Sequence, residues 1–127
     1  MSILTKDQIY AASDLPTEHV PVPEWGGELI VKTMTSAERD QWEEEWLIWR
    51  ENVNGDRDAF RYYDAFLVSR TVVDESGGRM FIQEDVKKLA DKSARVIGRL
   101  SEVARRLNFI TAADVESAVK NSAAAPS

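Results

Sequence analysis

Apolar and polar positions alternate in two rhythms along this chain, and the rhythm changes at residues that start or stop regular structure. Thr5, followed three residues later by Gln8, is a capping-box pattern, and it predicts a short helix that ends before Pro16. The stretch HVPVPEWGGELIVKTM then runs with period two. Pro21 and Pro23 cannot donate ladder hydrogen bonds, so Val20 and Val22 read as an edge strand. Gly26-Gly27 reads as the turn, and Leu29–Met34 as the stronger, β-branched strand. TSAE at Thr35–Glu38 is a second capping box and opens a helix that Asn54-Gly55 closes.

Inside that helix, DQWEEEWLIWRE places Trp42, Trp46 and Trp49 at spacings of four and three. With Val53 they form a seam about 16 Å long. Glu43, Glu44 and Glu51 fall off the seam, as the wet side of an amphipathic helix does. Core is the simplest use of such rings. Leu47 and Ile48 widen the apolar arc beyond one seam, and part of that arc is expected to meet another subunit. In the next helix Phe60, Tyr63 and Leu67 share one face. TVVDESGGRMFI reads as a second hairpin about Glu75-Ser76-Gly77-Gly78. Val86, Leu89 and Ala90 form one short stripe, Val96, Leu100, Val103 and Leu107 continue at helical spacing, and Leu89 to Leu107 reads as one long amphipathic face if Ser93 does not interrupt it. Thr111 and Asp114 cap a last helix with Val115 and Val119 on its apolar side. The expected architecture is mainly α with minor β (α+β): a compact helical domain with two short β-hairpins over residues 1–121, followed by a mobile tail at 122–127.

Composition narrows the function. Of 127 residues, 43% are hydrophobic and 30% charged, which is globular rather than disordered. There is no cysteine, hence no disulfide, thiolate metal site or cysteine nucleophile. Lys6 and Asp7 interrupt any signal-peptide core, and no run approaches the roughly 18 apolar residues of a membrane span; a soluble, cytosolic protein is expected. His19 stands alone among prolines and valines, without the spaced partners that catalysis or metal binding requires. Glu43–Glu45 are consecutive on a helix and cannot converge on one site. NVNGDRD lacks the ligand alternation and distant glutamate of a calcium loop. Neither glycine pair carries the lysine and hydroxyl of a phosphate loop or the spacing of a dinucleotide loop. No enzyme, cofactor or metal is expected.

Charge is uneven. Residues 1–78 carry 7 basic and 16 acidic side chains, net −9; residues 79–127 carry 9 and 6, net +3. The two halves can close on one another within a chain or between subunits. Lys88, Lys92, Arg95, Arg99 and Arg106 lie near one helical stripe, which offers a DNA-binding regulator as an alternative. Asp91 and Glu102 interrupt the stripe and no aromatic residue interleaves with it, so specific nucleic-acid binding is not expected.

Three stretches carry a family resemblance: ELIVKTMTSAERDQWEE, VVDESGGRMFIQEDVKKLA and RLSEVARRLNFITAADVESAVKN. Together they cover most of residues 28–121, and the chain resembles the tail assembly chaperones of long-tailed, non-contractile, lambda-type bacteriophages. The resemblance implies a non-enzymatic helper in the host cytoplasm. Such a helper coats the tape measure protein, recruits tail tube subunits and is absent from the mature virion. A minor structural tail-completion protein is the other virus-related alternative. The resemblance supplies no residue-level binding motif. The candidate contact residues therefore come from local physics: Trp46, Leu47, Ile48 and Trp49 on the tryptophan helix, and Lys92, Arg95 and Arg99 on the basic stripe, with a homo-oligomer as the expected state.

Overall fold

The computed structural model describes residues 2–52 and 56–120. Helix α1 (Lys6–Ala11) leads to strand β1 (Thr17–Val22) and strand β2 (Gly27–Lys32), then to helices α2 (Ser36–Arg50) and α3 (Asp56–Thr71). Strand β3 (Val72–Val73) and helices α4 (Val86–Ala90), α5 (Ala94–Leu107) and α6 (Ala112–Lys120) complete the order. The result is the expected α+β architecture, helices about a three-stranded antiparallel sheet ordered β1-β2-β3. The Asn54-Gly55 stop, the fourth seam position Val53 and the tail at 122–127 lie outside the described residues.

Local chemistry explains most of the boundaries. Both capping boxes form: Thr5 Oγ1 accepts from Gln8 N at 3.2 Å, and Thr35 Oγ1 from Glu38 N at 3.1 Å. Each partner side chain reaches back to the cap's own N–H. β1 is an edge strand, paired with β2 from Thr17↔Lys32 to Val22↔Gly27, where Pro21 costs no inner ladder bond. The connection is longer than a two-glycine turn. Pro23–Trp25 make a 3₁₀ turn closed by Gly26, whose φ of 83° is left-handed and suits glycine.

Three expectations change. The second hairpin is shorter than expected: β3 pairs with β2 through Ile30↔Val73 and Val31↔Val72, and the returning chain joins it through a Val73↔Arg79 bridge, with Asp74 N donating to Gly78 O at 2.8 Å and Met80 N to Val72 O at 3.3 Å. Asp74 is the reason. Its Oδ1 accepts from Ser76 N at 2.9 Å, Ser76 Oγ at 2.6 Å and Gly78 N at 3.0 Å, an Asx-type knot that fixes the loop and turns the chain off the ladder. The long apolar face from Leu89 to Leu107 is two helices, because Ser93 caps α5 by accepting from Val96 N. Phe60 does not share the buried face of Tyr63 and Leu67; it is 68% exposed while they are buried. The C-terminal half of α3 is enclosed all round, with Phe66, Leu67, Val68 and Ser69 at 0% exposure. Burial there follows position in the fold rather than a single stripe.

α3 is the central element, touching α2, α4, α5 and α6. Its buried Ser69 and Thr71 hydroxyls donate to the carbonyls of Phe66 and Leu67, so no polar atom of theirs is left bare. The end of α5 is tied to the sheet by Asn108, a buried carboxamide. Its Oδ1 accepts from Met34 N at 2.8 Å. Its Nδ2 donates to Ala104 O at 2.9 Å and Lys32 O at 3.3 Å. Asn108→Ala should leave Met34 N–H buried without an acceptor and cost about 2–3 kcal/mol. Urea denaturation should show that loss, whereas Thr5→Ala, which touches only α1, should leave the midpoint nearly unchanged.

Candidate partner-binding surfaces

The tryptophan helix supplies core and surface together. Trp46 is buried at 2% exposure. Its indole N–H donates to Ala118 O of α6 at 3.1 Å. Its ring lies edge-on to Tyr63 at 5.2 Å and Phe66 at 5.3 Å, and stacks on Trp49 at 5.9 Å. Arg50, also on α2, donates to Val119 O. Two donors of α2 thus meet carbonyls in the last turn of α6, where helical partners are missing. Trp49 is half-buried, edge-on to Tyr62 at 5.1 Å. Leu47 and Ile48 are 42% and 59% exposed. Of the four α2 candidates, Trp46 serves the core, Trp49 straddles it, and Leu47 and Ile48 face outward.

The three basic candidates sit elsewhere. Lys92 Nζ lies 5.7 Å over the Trp25 ring, an aromatic that the fold, not the sequence order, brings to the stripe. Arg95 is exposed. Arg99 grips Glu24 with two nitrogens at 2.9 and 2.7 Å. Arg106 reaches Glu18 at 2.8 Å. The acidic front and basic back therefore close partly within one chain, and two of the five stripe cations are already paired. The seven candidates fall into two groups: those on α2, which packs on α3, and the basic ones, whose Lys92 and Arg99 reach the β1–β2 turn.

A cleft that the sequence did not reveal lies between α2 and α6. It has a volume of about 310 Å³ and is lined by Arg39, Trp42, Glu43, Trp46, Leu47, Tyr63, Ile110, Asp114, Ser117 and Ala118. Trp42 and Tyr63 are buried, with their rings edge-on at 6.1 Å. The Arg39 guanidinium lies 5.6 Å over Trp42 and donates to Asn108 O at 2.9 Å. Burial pushes the Tyr63 hydroxyl well above its ordinary pKa, so it stays protonated. At the mouth, hydrogen bonds from Thr111, backbone first, hold the Asp114 carboxyl below its ordinary range. The α6 residues come from a part of the chain some 70 positions distant from α2, and no local pattern announces their meeting.

The N-terminal arm is the second feature without a sequence warning. α1 has no buried residue, and Ile3 (95%), Leu4 (60%), Ile9 (54%) and Tyr10 (78%) are all exposed. The doublets Ile3-Leu4 and Ile9-Tyr10 were visible as apolar residues flanking a capping box, but only the fold shows that nothing covers them. Among the described residues no three metal-ligating side chains cluster, and no helix is long and apolar enough to cross a membrane.

One cleft, an exposed arm and a helical body with a small sheet make an α+β fold with apolar surface open to solvent. The chain belongs to the phage tail assembly chaperone family, whose model matches residues 6–121. Its fold is similar to that of the bacteriophage HK97 tail assembly chaperone, with a TM-score of 0.53 and 18% identity over 80% of this chain and 90% of that one. No curated protein matches it in sequence. Membership of this family implies a non-enzymatic role and interaction with phage tail proteins.

The Arg99–Glu24 pair yields a pH prediction. The hydrogen bond from Arg99 is the largest cause holding the Glu24 carboxyl down at about 2, against an ordinary 4.5. A depressed folded-state pKa stabilises the fold above the unfolded value, and that contribution is lost as pH falls from about 4.5 through about 2. Carboxyl NMR titration should place Glu24 near the bottom of that window. Arg99→Gln should return it toward 4.5, and added salt should weaken the coupling because both groups meet solvent.

Proposed function

We propose that this protein binds the tape measure protein of a long-tailed phage in the host cytoplasm, recruits tail tube subunits to it, and leaves before the virion is complete. The observation that carries this reading is the family match over nearly the whole chain. The exposed apolar surface supports it. Ile48, the open side of Leu47 and the half-buried Trp49 offer apolar contact on α2, while the neighbouring Glu43 and Glu44 keep the helix hydrated. Such a surface suits a long apolar client that must be kept from aggregating until tube subunits cover it. A DNA-binding regulator gains no support: pairing of Arg99 and Arg106 with carboxylates leaves fewer cations for phosphate contact.

Co-expression with the tape measure protein of the same phage tests the reading. Tagged tape measure protein should bring this chain down in soluble form. Ile48→Glu should reduce recovery several-fold without altering helical content, because Ile48 is not part of the core. Mass spectrometry of purified virions should find the chain missing. Failure to co-purify, together with stoichiometric presence in virions, would replace this reading with that of a structural tail protein.

A further inference from the structure

The sheet stops short on one side. β3 pairs with β2 through Ile30↔Val73 and Val31↔Val72. Continued at that register, β3 would set Asp74 opposite Leu29 and Glu75 opposite Glu28. The Asp74 knot prevents it, because Oδ1 holds the N–H groups of Ser76 and Gly78 and carries the chain away. Residues 27–29 of β2 therefore have β1 on one side and no strand on the other.

The loop's own hydrogen bonds show which backbone groups face the gap. Asp74 N donates to Gly78 O and Met80 N to Val72 O. Val72 and Asp74 thus turn toward the returning chain, and Val73, between them, turns toward Ile30. Backbone groups along an antiparallel strand alternate in direction. Ile30 faces β3, Leu29 faces β1, and Glu28 presents both its N–H and its C=O to the gap. Pro21, opposite Glu28 on β1, fits the same alternation, since it has no N–H to give across that pair. No hydrogen bond from β3 or from the loop after it reaches the Glu28 backbone.

A groove of about 470 Å³ lies where the missing strand positions would be. Ile30, Val73 and Met80 give it apolar lining. Glu28, Asp74 and Glu75 add three carboxylates, and no cation lines it. Glu28 already meets His19 at 2.6 Å, so Asp74 and Glu75 are the acids left for a guest. The hydrogen bond from Ser76, first among several, holds the Asp74 carboxyl below its ordinary range. All three bonds of the knot go to Oδ1, which leaves Oδ2 outside them. An open strand edge accepts an extended chain through main-chain hydrogen bonds, with side-chain pockets setting the preference. Here the pockets are apolar and acidic, so the complementary guest is apolar and basic.

We propose that this groove takes a short extended segment of a partner protein, added as a strand beside residues 27–29 and carrying a lysine or arginine between β-branched residues. The Glu28 N–H donates to a guest carbonyl, and the Glu28 C=O accepts from a guest N–H. The guest's apolar side chains lie against Ile30, Val73 and Met80, and its cation lies against Asp74 and Glu75. The site belongs to the sheet rather than to α2, so it stands or falls independently of the client proposed above.

The probe is the peptide acetyl-Thr-Val-Lys-Val-Thr-amide, titrated into the full isotope-labelled chain and followed by amide NMR. Saturable shifts should concentrate at Glu28, Leu29, Ile30, Ser76 and Met80. The Glu28 amide should move downfield and exchange more slowly with solvent as it gains an acceptor. A peptide with glutamate in place of lysine should bind more weakly. Glu75→Lys, at an exposed position whose side chain is outside the knot, should weaken the lysine peptide by about two- to five-fold, the scale of an exposed ion pair, and should improve the glutamate peptide. A backbone N-methylated lysine peptide, with every side chain in place, should not bind. Absence of saturable shifts up to millimolar peptide overturns the proposal. So do shifts centred on α2 or the basic stripe, equal binding of the two charged peptides, or unchanged binding after N-methylation. Concentration-dependent shifts at the same amides before any peptide is added would give the groove to a second copy, and overturn it as well.

Discussion

Asn108 holds one side of the molecule together through a single carboxamide and its own carbonyl. α5 must end there, and it does so with Phe109 in the left-handed region at φ 53°. Ile110 N donates to Arg105 O and Phe109 N to Arg106 O, which satisfies two carbonyls of the last turn. The reversal points the Asn108 side chain at the end of β2, where Met34 N and Lys32 O have run out of strand partners. The Asn108 carbonyl then receives Arg39 from the first turns of α2. One residue thus fixes the end of α5, the exit of the sheet and the entry of α2. It also sets the cleft: Arg39 is pinned by its Nη1, and Ile110 is placed at the start of the segment that becomes α6.

A bulky residue at positive φ costs energy that glycine would not. The Phe109 ring is 87% exposed and recovers nothing by packing. The surrounding hydrogen bonds over-determine the turn, so the strain is tolerated. Buried charge is treated similarly. Arg70 is 6% exposed, and burial is the largest cause lowering its pKa. It is met by Glu45 at 2.7 Å and lies over the Phe66 ring at 4.6 Å, so the desolvated guanidinium keeps both a counter-charge and a ring face. These ties cross between elements far apart in sequence, which is why the body is well determined while α1, lacking any of them, is bare.

How much of this could be read from the sequence depends on the range of each interaction. Capping boxes at Thr5 and Thr35 and the Thr111–Asp114 pair act over three residues, and all formed as expected. The edge character of β1 followed from its proline, Pro21, with Pro23 opening the turn beyond the strand. Ser93 carried a local signal too, a cap preference, but the continuing apolar spacing on either side masked it. In the Asp74 loop the turn signal sits on the glycines, whereas the carboxylate that knots the loop looks like any surface acid in sequence. Phe60 failed for a different reason: helical spacing gives a face but not the extent of cover, and α3 is covered fully only toward its C-terminal end. Asn108 reaches partners 74 and 76 positions away, so neither it nor the cleft it organises leaves a local trace.

The surface then separates forces by range. A net charge of −6 keeps copies apart at long distance, and at physiological salt that repulsion fades beyond about 8 Å. Within contact range the remaining features are apolar: Ile3, Leu4, Ile9 and Tyr10 on the arm, Leu47 and Ile48 on α2, Phe109 at the α5 turn. None of them is needed by the core, which is complete around α3. Exposed apolar groups on a finished core are free to be covered and uncovered without unfolding anything. Internal closure of Arg99 and Arg106 onto Glu24 and Glu18 removes those cations from competition for outside partners. What is left exposed is apolar surface together with the stripe cations that no carboxylate holds, Arg95 among them. Apolar contact depends on close fit and little on ionic strength, whereas any contact made by the remaining cations weakens as salt screens it.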